Sequence, residues 1–268
     1  MLKLGTPLIM GIVNITPDSF SDGGRFLHRN RAIAHARQLI TEGADIIDIG
    51  GESTRPGAAS VSLQEELDRI MPVLDALIAD DVPISIDTQK TEVMREAIKR
   101  GASIINDVNA LQATGSVQVC AASGVTVCVM HKQGCPQTMQ QAPQYRDVVQ
   151  EVHDFLLTRA DACLAAGIPR ERIVIDPGFG FGKTVEHNFR LLRELHVLAE
   201  TGYAVLAGFS RKSSLGLITG RTANDRLAAS LATALIAMQQ GAKIIRVHDV
   251  KETVDVMKIW LATANAHL

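Results

Sequence analysis

The sequence predicts an α/β fold of the (β/α)8 TIM-barrel type, a single domain over residues 1–268. Three observations point there. Short, continuously aliphatic segments recur eight times along the chain. Amphipathic helical stretches separate them. A polar or charged residue breaks the apolar pattern at the C-terminal end of each segment. Alternating strand and helix signals indicate a parallel sheet, and a closed barrel of eight such units typically takes about 250 residues. The alternative is an open doubly wound sheet. There the strand ends would spread along an edge, whereas a barrel gathers them at one mouth.

The strand segments are Leu8–Ile15, Asp45–Gly50, Pro83–Asp87, Ile104–Val108, Thr126–Met130, Ile173–Asp176, Ala204–Phe209 and Ile244–Val247. Their unbroken aliphatic character suits strands covered on both faces. Gly43-Ala44-Asp45-Ile46-Ile47, Gly101-Ala102-Ser103-Ile104-Ile105 and Gly241-Ala242-Lys243-Ile244-Ile245 are echoes of one another, each a helix end followed by a strand start. Among the helices, Ser62 with Glu65 three residues on reads as a capping box. It opens a stripe of Leu63, Leu67, Ile70, Leu74 and Leu77, which Pro72 should bend or shorten. Val148, Val152, Phe155 and Cys163 mark another helix. Leu227, Leu231, Leu235 and Met238 mark a third, and Val250, Val254, Met257 and Leu261 the last. All of these stripes read as barrel-facing core.

Composition narrows the function classes. With 27 basic and 29 acidic residues the net charge is −2, which argues against a polyanion binder and so against a nucleic-acid partner. Aromatics make only 4% of the chain, too few for a base-stacking platform. No apolar run approaches the roughly 20 residues that span a bilayer, and the start has no signal-peptide pattern. A cytoplasmic protein without membrane association is expected. Cys120, Cys128, Cys135 and Cys163 form no Cys-x-x-Cys pair and read as thiols in a reducing compartment. His28, His35, His153, His187, His196 and His267 lack metal-ligand spacing and read as solvated or capping.

The strand ends carry the chemistry. The first offers Asn14 and the second Glu52 with Thr54 and Arg55. The third ends at Asp87, the fourth at Asn106 and Asp107, the fifth at His131 and the sixth at Asp176. The seventh is followed by Ser210, Arg211 and Lys212, and the eighth carries Arg246 and His248. Asp45 and Asp48 flank the second strand and read as structural pairing; Asp107 suits a loop equally well. The run Gly178-Phe179-Gly180-Phe181-Gly182-Lys183-Thr184 looks like a phosphate loop. However, Pro177 stands where the Walker pattern needs glycine, and Lys183 where Gly-x-Gly-x-x-Gly needs its last glycine. It reads instead as a flexible loop after Asp176.

Asp87, Asn106 and Asp176 suit a neutral heterocycle bearing amino and ring N–H donors. Arg55, Lys212, Arg246 and His248 suit a phosphate or diphosphate through charge-assisted hydrogen bonds. Asn14 offers a neutral oxygen to Mg²⁺. No nucleophile–base arrangement for covalent catalysis stands out. Transfer from a diphosphate leaving group, with no covalent enzyme intermediate, is therefore the expected reaction.

These residues lie in blocks that resemble the dihydropteroate synthase family of pterin-binding barrels. The blocks are Met10 to Gly24, Asp48 to Gly57, Ser85-Ile86-Asp87-Thr88, Ile105-Asn106-Asp107, Met130-His131, Asp176 to Phe181, Gly208 to Ser213 and Arg246-Val247-His248-Asp249, in family order over nearly the whole chain. The resemblance implies a (β/α)8 barrel, usually a homodimer, acting in folate biosynthesis as a transferase of a pterin-methyl group. It also implies Mg²⁺ as cofactor and sensitivity to sulfonamides. Carried over by motif, Asp87, Asp176, Lys212, Arg246 and His248 form the catalytic set. Asp87, Asn106, Met130, Asp176, Gly208 and Lys212 surround the pterin, while Asn14, Thr54, Arg55, Arg246 and His248 meet the diphosphate, with Asn14 on the metal. Phe20, Thr54, Arg55, Pro56, Phe181, Ser210 and Lys212 surround p-aminobenzoate, and Thr16–Gly24 and Ser53–Ala59 act as lids. Lys132 departs from the family, standing where an apolar residue is expected. Two alternatives stay open at this stage: a methyltetrahydrofolate corrinoid methyltransferase, which has no need of diphosphate contacts, and a catalytically silent pterin-binding paralogue.

Overall fold

The structure is a computed structural model and describes residues 6–15, 25–53, 60–134, 139 and 142–264. Eight strands, β1 (Leu8–Asn14), β2 (Ile46–Gly50), β3 (Ile84–Asp87), β4 (Ile104–Asp107), β5 (Thr126–Met130), β6 (Ile173–Asp176), β7 (Ala204–Ala207) and β8 (Ile244–Val247), close into a barrel in chain order. Neighbouring strands are parallel throughout, and β8 returns to pair with β1. That closure decides against the open sheet. Strand bounds match the expected ones within a residue except at β7, which stops at Ala207 rather than Phe209. Among the described residues, no helix is long and apolar enough to cross a membrane.

Side chains alternate between the two faces of each strand, and this alternation builds the site. Met10, Ile46, Ile104, Cys128, Val174, Leu206 and Ile244 pack together as the barrel interior. Their neighbours Ile9, Ile47, Ile105, Val127, Ile175, Val205 and Ile245 join the larger layer shared with the helices. Two residues beyond the interior set stand Asp48, Asn106, Met130, Asp176, Gly208 and Arg246. They therefore face the lumen one layer nearer the mouth. Asp107, one position out of phase, faces the helix layer. Its carboxylate accepts from the backbone N–H groups of Asn109 (2.7 Å) and Leu111 (2.8 Å), which is the loop-satisfying role.

Several local expectations are corrected. Ser62 does accept from the Glu65 N–H at 3.2 Å, but the Glu65 carboxylate turns to Arg69 instead of closing a capping box. A reciprocal box forms elsewhere, between Thr184 and His187. The helix Leu63–Leu77 runs through Pro72 without being shortened. Its stripe is buried at Ile70, Leu74 and Leu77, yet Leu63 is exposed. In the helix Leu227–Gln239 the buried face is Ser230, Thr233, Ala234, Ala237 and Met238. Leu227 lies exposed and Leu231 and Leu235 only half-buried. Small residues let this helix sit close to the barrel, so its leucines were displaced outward.

Candidate active site

The floor of the mouth is a charged cluster assembled from four strands. Arg246 donates through Nε to Asp48 Oδ2 (2.6 Å) and through Nη2 to Asp87 Oδ2 (2.9 Å). Asn106 Nδ2 donates to the same Asp48 oxygen at 3.3 Å. Strand register enforces the meeting, since Asp87 pairs with Asn106 on one side and Gly50 on the other. Asp48 Oδ1, Asp87 Oδ1 and Ser85 Oγ are buried with no hydrogen-bond partner among the described residues. Buried polar atoms left so cost about 1–3 kcal/mol each, so this floor is built to receive something that donates protons.

The electrostatics follow from burial. Desolvation pushes the Asp87 carboxyl above the usual carboxylate range, against the pull of Arg246. It pushes Asp176 up to about 6, against the Gly178 N–H bond and the charges of Lys212 and Arg246. Burial also works against the charge of Arg246, but Asp48 and Asp87 outweigh it and hold the guanidinium protonated.

One wall is the segment after β6. Asp176 Oδ1 accepts from the Gly178 N–H at 2.7 Å, and the chain then folds tightly. A Cβ on Gly178 would lie 1.9 Å from the His131 carbonyl oxygen, and one on Gly182 2.4 Å from that of Gln133. Both have φ near +65°, so only glycine fits. Residues 177 to 183 are buried apart from a half-buried Gly180. The loop read as flexible is thus a packed part of the core. Phe181 packs with Val108, Met130 and Met139, and Lys212 Nζ stands 4.2 Å from the centre of its ring. Lys183 is buried within this segment. Desolvation pushes its amine down to about 7 and His131 down to about 3.

The rim brings Ser210 and His248 together. The His248 N–H donates to Ser210 Oγ (3.3 Å), and that hydroxyl stands 3.0 Å from His248 Nδ1. Arg211 is turned aside by Asp249 through Nε to Oδ2 at 3.0 Å and a second bond from Nη2. Asn14 lies half-buried at the end of β1. A Gly50 side chain would fill the 3.5 Å gap on either side toward Asn14 Oδ1 and Asp87 Cβ. Glu52 is occupied below the rim, its carboxylate accepting from Lys90 Nζ (2.7 Å) and the Val61 N–H (2.9 Å). Phe20, Thr54, Arg55 and Pro56, most of the two lid segments, and Cys135 lie outside the described residues.

Three residues of this site escaped the sequence reading. Asp48, taken for structural pairing, is a floor residue. Its signal was the period of two that puts it in phase with Ile46 and Gly50. Asp45 does play the structural part, accepting from the Ile9 N–H at 2.8 Å. Ser85 faces the floor in register with Asp48. Lys183, set aside with the phosphate-loop decoy, is interior.

A metal would find little protein here. Among the described residues no three His, Cys, Asp or Glu side chains gather for one. Asn14 supplies a single neutral oxygen at the mouth. That fits Mg²⁺, which keeps several waters and is often held by one or two protein groups plus substrate phosphates.

Comparisons with known proteins agree with this geometry. Residues 10–248 match the family model described as pterin binding enzyme. The chain is 51% identical over 266 residues to the dihydropteroate synthase of Haemophilus influenzae, covering 99% of this chain and 97% of the relative. Its fold superposes on a Xanthomonas albilineans dihydropteroate synthase with 4-aminobenzoic acid at a TM-score of 0.94 and 50% identity, covering 99% of this chain and 96% of that one. It is also similar to the enzyme from that organism in complex with 7,8-dihydropteroate, at a TM-score of 0.90 and 47% identity, with 99% and 97% covered.

Proposed function

The chain belongs to the pterin binding enzyme family with the activity of a dihydropteroate synthase, and from that premise we propose how its mouth performs the condensation. The reaction joins p-aminobenzoate to (7,8-dihydropterin-6-yl)methyl diphosphate and yields 7,8-dihydropteroate and diphosphate. One observation carries the reading. Buried carboxylate oxygens on Asp48 and Asp87 lack partners beside Arg246, and the amino and ring N–H groups of a pterin edge match that need.

In this reading Asp87, Asn106, Asp176 and Lys212 hold the pterin, with Met130 and Gly208 lining its slot. The C–O bond to diphosphate breaks first, its electron pair leaving with the diphosphate, in an SN1-like step. Asp87 and Asp176 stabilise the electron-poor pterin and its cationic methylene. Arg246 and His248, with Thr54 and Arg55, receive the departing anion. Asn14 would hold Mg²⁺, which would supply neutralising charge for the departing diphosphate. The aryl amine, seated by Phe181, Lys212 and Ser210 with Phe20, Thr54, Arg55 and Pro56, attacks the methylene. Its surplus proton passes to a nearby carboxylate or to the diphosphate. Closure of Thr16–Gly24 and Ser53–Ala59 would keep water from trapping the cation.

The remaining parts of the proposal are a single domain over residues 1–268, a cytoplasmic location, inhibition by sulfonamides as p-aminobenzoate mimics, and a homodimer. Support for the dimer is the exposure of Leu217, Ile218, Ile236 and Ile259 on the late helices. A monomer by light scattering at micromolar protein would count against it.

The deciding experiment is a coupled diphosphate-release assay with and without p-aminobenzoate and Mg²⁺. Release that requires both is the expected result. Pterin binding by calorimetry without turnover would point to a silent paralogue. Methyl transfer from methyltetrahydrofolate would point to the corrinoid enzymes.

A further inference from the structure

Lys183 is 2% exposed and belongs to none of the proposed substrate contacts. Its Nζ donates to the Gly178 carbonyl (3.0 Å) and the Phe181 carbonyl (3.1 Å), and stands 2.9 Å from His131 Nδ1. With the His131 carbonyl at 3.5 Å as a fourth, weaker neighbour, these acceptors can take all three N–H donors of an ammonium. His131 then accepts at Nδ1 as a neutral ring. Two of the acceptors bracket the turn that the Phe181 N–H closes on the Gly178 carbonyl at 3.1 Å. The third anchors that turn to the end of β5. The Tyr145 hydroxyl adds a second tie between the same two loops, donating to the Gly182 carbonyl at 2.7 Å.

We infer that Lys183 is a positioning residue that sets the Phe181 ring for the p-aminobenzoate half of the site. The inference rests on the reading that Phe181 lines that half. The side chain reaches no substrate. It acts by adding a donor to the two buried carbonyls on either side of the turn, one of which, that of Gly178, also accepts from the Phe181 N–H. Asp176 precedes the turn and is fixed by its place on β6 as well as by the Gly178 N–H, so the loss falls mainly on the p-aminobenzoate half.

The test compares Lys183→Met, near the same length without charge, with Phe181→Ala in full steady-state kinetics, and measures pterin binding by calorimetry. Lys183→Met is expected to raise the p-aminobenzoate KM about tenfold. Its KM for the pterin diphosphate, and pterin affinity, should stay within about twofold. Phe181→Ala should also raise the p-aminobenzoate KM. An effect in Phe181→Ala with none in Lys183→Met overturns the role of Lys183. No effect in Phe181→Ala overturns the underlying assignment instead. Equal losses for both substrates in Lys183→Met would make the lysine merely structural and overturn the inference. If that variant does not fold, His131→Phe decides. It keeps the ring beside Phe155 and removes one acceptor, and a p-aminobenzoate KM raised about threefold supports the role, whereas an unchanged one overturns it.

Discussion

Arg211 grips Asp249 fork to fork, although the backbone of Arg211 sits at φ 57°. A left-handed, non-glycine residue costs about 1 kcal/mol or more, and the bidentate charge-assisted pair works against that cost. The pair ties the ends of β7 and β8 together with Lys212 on one side and His248 on the other. Asp249→Ala is expected to cut kcat/KM about tenfold while lowering Tm by only a few degrees, from the loss of about 1–2 kcal/mol. Kinetics run beside a thermal melt check this. Unaltered kcat/KM would leave the fork with no part in the reaction.

Asp87→Ala should abolish turnover through lost pterin binding. It removes an acceptor for the pterin and leaves the buried Arg246 with Asp48 alone. Cutting one partner from a buried charge pair typically costs about 3–5 kcal/mol of stability, and losing a charged acceptor for the pterin about 1.5–3 kcal/mol of binding, or roughly 10- to 150-fold in affinity. Calorimetry reads the binding, and near-normal kcat/KM would sink the assignment.

The raised value of Asp176, about 6, makes pterin affinity pH-dependent. The contribution that needs the ionised Asp176 carboxylate should be near full at pH 7, about halved at pH 6 and weakened about tenfold by pH 5. Stability runs the other way. The folded value lies above the unfolded one near 4, so between those values the native state keeps a proton that the unfolded chain has lost. Ionisation as pH rises through that window therefore lowers native stability. Asp176→Asn should remove the Asp176 share of both profiles and leave the part carried by Asp87, whose carboxyl burial also pushes up, and calorimetry and melts from pH 5 to 7 measure them.

Gly178→Ala should damage the fold itself. The new Cβ would meet the His131 carbonyl at 1.9 Å, and backbone against backbone cannot relax cheaply. A loss of about 3 kcal/mol or more, and a Tm lowered by roughly 6–12 °C, is expected. A melt within about 1 °C of the parent would contradict the packed-loop description.

Chelation of Mg²⁺ should stop diphosphate release, and added Mg²⁺ should restore it. Asn14→Ala should raise the Mg²⁺ concentration for half-maximal rate several-fold while leaving pterin affinity within about twofold. Magnesium titrations of both proteins provide the check.

The barrel was legible because its signal repeats. Eight aliphatic strands, most of them preceded by a glycine, agree with one another, and the period of two points Asp87, Asn106, Asp176 and Arg246 to one lumen. Partnership was harder to see. Asp48 meets Arg246 across 198 positions of chain, and only its phase along β2 sets it apart from Asp45, which satisfies a strand N–H. Lys183 looked like a loop lysine because its acceptors, two carbonyls of its own turn and the His131 ring, meet only when that turn packs on the end of β5. The leucines of 227–239 misled for a related reason. Periodicity locates a helix's apolar residues, but closeness of approach decides which face touches the barrel, and Ala234 and Ala237 approach more closely than leucine can.

The unpartnered oxygens on Asp48, Asp87 and Ser85 also have a consequence for selectivity. A ring of pterin outline whose edge carried only acceptors would bring lone pairs against lone pairs, with no water to separate them. Such a molecule would fit the outline and still be refused. Recognition at this mouth is a matter of proton pattern before shape, and a competitor for it must arrive carrying hydrogens on the edge that faces the floor.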